Sequence, residues 1–128
     1  MLARTLILLA ILLWSAAADA GPPTSYAEAE AAWKRTRDKP EYQSYAAEFT
    51  RFNNYFHLDE KDGCYALPSG TVSLFLVITN TDGAEFALIE RALSSVNNPK
   101  STCFKKTYEG LRTKAPPFLP FVLQLSMG

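Results

Sequence analysis

Residues 71–79 read TVSLFLVIT, residues 80–83 read NTDG, and residues 84–93 read AEFALIERAL. The first run is rich in β-branched and apolar residues from Val72 to Ile78 and reads as strongly strand-forming. Asp82-Gly83 is a favoured two-residue hairpin turn, since both residue types tolerate positive φ. The chain is therefore expected to return as a second strand from Ala84 to about Leu93. In that register Val77 meets Leu88 and Leu76 meets Ile89.

Working toward the C-terminus, Asn98 and Pro99 form a helix start, cap followed by a proline in the first turn. Cys103, Phe104, Thr107, Tyr108 and Leu111 share one face of that helix. Gly110 stands where a left-handed C-terminal residue belongs. Prolines at 116, 117 and 120 keep residues 114–120 extended. Phe121, Leu123, Leu125 and Met127 then alternate with Val122, Gln124 and Ser126, which predicts a final strand.

Working toward the N-terminus, His57 to Gly63 is a polar loop. Tyr42, Tyr45, Phe49, Phe52 and Phe56 follow at helical spacing, one stripe along a helix opened by Asp38, Pro40 and Glu41. Before it, Ser25 and Glu28 make a capping-box pattern, opening a helix from Tyr26 to about Arg37 in which Trp33 is the large anchor. The expected fold class is α+β: two N-terminal helices, then β-β-α-β. This gives a three-stranded antiparallel sheet with the helices packed on one face.

Met1 to Ala20 has the plan of an export signal. Arg4 precedes a greasy run through Trp14, and small residues follow. Cleavage is expected after Ala20, with Ala18 as the alternative. The uncharged stretch is shorter than the roughly 20 residues a bilayer needs, so no stable membrane insertion is expected once the leader is removed. The organisation is then 1–20 signal peptide, 21–63 N-terminal helical segment and 64–128 ββαβ unit.

An even cysteine count in an exported chain favours one disulfide, here Cys64–Cys103, tying the third helix to the chain just before the first strand. Thirteen basic residues balance thirteen acidic ones, so there is no electrostatic case for nucleic acid or for an anionic membrane surface. No cofactor is expected. His57 is the sole histidine, and it lies in a solvated stretch with Asp59, Glu60 and Asp62. A solvated surface histidine in a hydrated loop is the preferred reading over a catalytic or cation-binding one, and two Cys with one His do not complete a zinc set.

A strand as apolar as Val72 to Ile78 is an aggregation hazard unless covered, and a three-stranded sheet has two edges to protect or to use. Pairing of a partner's extended segment with one edge is the physical function that fits best.

Gly70-x-Val72, the Asp82-Gly83 hairpin, Ser94-Ser95, the Pro99-led helix and Pro116-Pro117-Phe118-x-Pro120 together give a pattern over residues 70–128. That pattern resembles the C-terminal domain of TonB-family and TolA-like periplasmic proteins. The resemblance implies a periplasmic or secreted, non-catalytic binding or accessory protein that contacts envelope proteins through its sheet edge. It places partner binding on the last strand, at Phe121, Leu123, Leu125 and Met127. The chain departs from that family in keeping no membrane anchor and no long spacer. The alternative is a small secreted inhibitor or an apolar-ligand-binding protein of helix-on-sheet type.

Overall fold

The computed structural model describes residues 21–56 and 63–127, apart from the side chains of 52–56. The expected export signal, residues 1–20, lies outside the described residues, as do His57, Asp59, Glu60 and Asp62 and the aromatic side chains of Phe52 and Phe56.

Helix α1 spans Tyr26–Thr36 and α2 spans Pro40–Phe56. Strand β1 is Val72–Ile78, followed by β2 (Thr81–Asp82), β3 (Phe86–Leu88) and β4 (Arg91–Ser94). Helix α3, Pro99–Tyr108, leads to β5 (Arg112–Lys114) and β6 (Phe121–Met127). The starts of α1 and α3 lie where their cap residues put them. Ser25 accepts the N–H of Glu28 at 3.2 Å. Asn98 caps α3 by accepting the Ser101 N–H at 2.8 Å, with Pro99 next in line.

The α+β class and the three-stranded antiparallel sheet stand as expected: β1 is central, with β4 and β6 on either side. All seven residues of β1 pair with β6, from Val72 opposite Met127 to Ile78 opposite Phe121. Helices α2 and α3 share one face. Val72, Leu74, Leu76 and Ile78 cluster there with Tyr42, Tyr45, Phe49, Phe104, Tyr108 and Phe121. Helix α1 takes the opposite face, where Ala29 packs with Phe75, Val77 and Val122. Tyr26 and Trp33 stand over Phe75 at ring-centroid distances of 4.9 and 5.6 Å. The sheet is thus a middle layer, and the expected placement of all helices on one face does not hold for α1. The cause is the continuous apolar run Leu74 to Ile78 within β1, which has two faces to bury. Segments 21–63 and 64–128 consequently share one core.

The hairpin register differs from the sequence expectation. Leu76 lies opposite Ala92 and Val77 opposite Arg91, so Leu88 and Ile89 are displaced from β1. A two-residue primed turn needs positive φ at both central residues, and of Asp82 and Gly83 only the glycine has it, at 74°. Asp82 instead pairs with Phe86, and residues 83–85 make a three-residue turn.

The return strand also breaks in two. Glu90 donates its N–H to the Val77 carbonyl at 2.9 Å, while Arg91 is also paired with Val77. Two residues facing one is the geometry of a bulge, which bends a strand. Beyond it β3 leaves the main sheet and pairs with β5, completing a second small sheet in the order β2-β3-β5. Strand β5 has no signature in the sequence, because Arg112-Thr113-Lys114 is short and polar.

The disulfide joins Cys64 to Cys103 with their Cα atoms 5.5 Å apart. It fastens α3 to the segment before β1. Among the described residues, no helix is long and apolar enough to cross a membrane.

Candidate binding cleft

Both edges of the main sheet, β4 and β6, are met by something. At β4, Ala92 donates its N–H to the Glu109 carboxylate at 3.4 Å, and α3 lies alongside. At β6, the Gln124 N–H turns away from β1 and donates to the Tyr42 hydroxyl at 3.3 Å. Antiparallel alternation then leaves the outward backbone groups of β6 on Val122, Gln124 and Ser126. Because α1 and α2 cover opposite faces, residues 37–39 between them must pass around this edge. Lys39 there sits over the Phe118 ring, 5.0 Å from its centroid.

The four residues expected to meet a partner are placed inward. Phe121, Leu123, Leu125 and Met127 are all buried in the core. Phe121 stacks on Tyr42 at 5.3 Å and meets Tyr45 edge-on at 4.7 Å. Their side chains therefore offer no surface to a partner. What β6 can present is backbone, and Tyr42 occupies its middle.

The open site lies between α2 and the small sheet. A cleft of about 240 Å³ is walled on one side by Tyr45, Glu48 and Phe49 of α2. Arg112, Thr113 and Lys114 of β5 form the other wall, with Phe86 of β3 beside them. Cross-strand pairing puts Phe86 opposite Lys114 and Leu88 opposite Arg112. One face of this ribbon is therefore a checkerboard of two apolar and two cationic side chains. Phe86 is 40% and Leu88 50% exposed, which is high for large apolar groups. The inward pair, Ala87 and Thr113, is buried.

The charged side chains around the cleft are paired. The Arg112 guanidinium lies over the Phe86 ring at 4.1 Å and approaches Asp82 at 4.0 Å. Lys114 spans the cleft to both carboxylate oxygens of Glu48 at 3.2 Å. Deeper in, the Tyr45 hydroxyl donates to the Lys114 carbonyl at 2.6 Å and lies 3.4 Å from the Thr113 hydroxyl. Burial raises the Tyr45 pKa, the Thr113 hydrogen bond opposes this, and the Glu48 charge adds to the rise. Tyr45 is therefore a neutral, fixed donor at ordinary pH. Among the described residues, no three of His, Cys, Asp and Glu come together in a way that suits a metal.

Chemically, the cleft has an aromatic floor and a rim of exposed ion pairs. It suits a guest with an apolar body and polar ends. Sequence reading missed it because Glu48, Phe86, Arg112 and Lys114 converge only after the hairpin bends. The one available signal was Phe86-Ala87-Leu88, whose large residues needed a cover that the expected register supplied and the observed one does not. The chain matches no protein-family model, no curated protein and no solved structure.

Proposed function

We propose that this chain is an exported, non-catalytic binding protein, acting in the periplasm or outside the cell, and that it binds in the cleft between α2 and the β3–β5 ribbon. The observation that carries the reading is the exposure of Phe86 beside the aromatic floor of Tyr45 and Phe49. Large apolar groups gathered at a concave site mark binding surfaces more often than decoration. Export is supported by the leader-like residues 1–20 and by the Cys64–Cys103 disulfide, a bond that persists in oxidising compartments.

The family-based role at a sheet edge enters the same proposal with a change of place. The β6 edge is clasped by the α1–α2 turn and Tyr42, so the cleft is the better site for contact with an envelope protein.

Two experiments test the proposal. Anilinonaphthalene sulfonate, an aromatic anion, is titrated into the wild type and into Phe86→Ser. Saturable binding that weakens about tenfold in the variant supports the cleft, and equal binding by both overturns it. Expression with the native leader, followed by intact mass of the product, tests export. A mature chain starting at Gly21 or Asp19 is expected, and an intact leader on the soluble product overturns that part.

A further inference from the structure

We propose that the occupant of the cleft is an extended peptide segment that adds to the outer edge of β5, with acidic, apolar and acidic residues in succession. This rests on the cleft reading above and names its partner class.

The argument begins with the backbone. Ile89 donates its N–H to the Leu111 carbonyl, and Ala115 donates to the Glu85 carbonyl, each at 2.9 Å. Those bonds fix the alternation along β5: Leu111, Thr113 and Ala115 turn their backbone groups toward β3, and Arg112 and Lys114 turn theirs away. The Tyr45 hydroxyl takes the outward carbonyl of Lys114. Among the described residues, the N–H and carbonyl of Arg112 and the N–H of Lys114 have no hydrogen-bond partner. They face the space between β5 and α2. Unpaired edge groups lining an apolar cleft are what strand addition requires, with backbone bonds for affinity and pockets for alternate side chains.

Charge then selects the segment. A residue paired with Arg112 or Lys114 places its side chain on the same face as those cations, where a carboxylate makes a favourable cross-strand pair. The cations are held at present by Asp82 and Glu48 in ion pairs whose members are all more than half exposed. Such pairs are weak and exchangeable. The residue between the two acids points the other way, with Thr113, toward Tyr45 and Phe49. An apolar side chain suits that position.

The probe is a blocked Ser-Glu-Leu-Glu-Ser peptide, used to displace the dye from the native, disulfide-bonded chain. Controls are the same peptide N-methylated at both glutamates and a Ser-Lys-Leu-Lys-Ser peptide. The parent is expected to displace the dye and both controls to be weaker by about tenfold or more. Amide exchange at Arg112 and Lys114 should slow when the parent is bound, and added salt should weaken it. Equal displacement by the N-methylated peptide overturns strand pairing. Equal displacement by the lysine peptide overturns the acidic pattern. Dye binding without displacement by any peptide overturns this inference and leaves the cleft reading in place. Absence of dye binding overturns the cleft reading first.

Discussion

Trp33 donates its indole N–H to the hydroxyl of Tyr42 at 2.9 Å, and that oxygen also receives the Gln124 N–H. One phenol therefore links the helix on one face of the sheet, the helix on the other, and the strand edge between them. Tyr42→Phe keeps the ring stacked on Phe121 but strands two half-buried donors. An unsatisfied donor costs about 1–3 kcal/mol. Urea unfolding should show a loss in that range, with an unchanged denaturant slope.

Alkaline pH should act through the same region. Burial raises the pKa of Tyr42, against the lowering effect of its bonds from Gln124 and Trp33. Tyr45 is raised as well. A group with a raised folded pKa leaves stability level below its unfolded value, near 10, and removes it as pH climbs from there toward the folded value. Unfolding midpoints should therefore be flat from neutral pH to about 9 and fall above 10. In Tyr42→Phe combined with Tyr45→Phe the fall should be shallower. An equal slope in the double variant would count against the assignment.

The disulfide has a calculable weight. Its cysteines are 39 residues apart, and the chain-entropy model then gives about 4 kcal/mol of stabilisation. Reduction, or Cys64→Ser with Cys103→Ser, should lower the unfolding free energy by about 2–5 kcal/mol. Intact mass with and without reduction and alkylation verifies that the bond is present in the sample measured.

These effects track how far the fold was legible. Caps are local chemistry, so Ser25, Asn98 and Pro99 placed their helices from sequence alone. The pairing of Cys64 with Cys103 needed only an even count and a compartment. The β1–β4 register depended on turn geometry, and a turn that differs by one residue in length displaces every partner beyond it. From that displacement follow the bulge at Glu90, the second sheet and the cleft, none of which has a local signature. The inward burial of Phe121, Leu123, Leu125 and Met127 was visible as alternation. That same pattern is why their side chains face the core.

Burial separates the two phenylalanines at issue. Phe121 is fully buried among Tyr42, Tyr45 and Phe118. Phe121→Ala should cost about 3–5 kcal/mol. Phe86→Ser, on the exposed ribbon face, should stay within about 0.5 kcal/mol of the wild type. Thermal and urea denaturation of both variants check this contrast, and a large loss in Phe86→Ser would mean the ribbon face is core.

The turn itself offers the last test. At Gly83 an added Cβ meets nothing within 4 Å, yet φ is +74°. The cost of Gly83→Ala is therefore conformational, about 1 kcal/mol. Gly63 is equally uncrowded and lacks a positive φ, so Gly63→Ala should be neutral or slightly stabilising. Equal unfolding free energies for the two variants would show that Gly83 does not hold a left-handed conformation in solution. The three-residue turn would then lose its physical basis, and with it the displacement that opens the cleft.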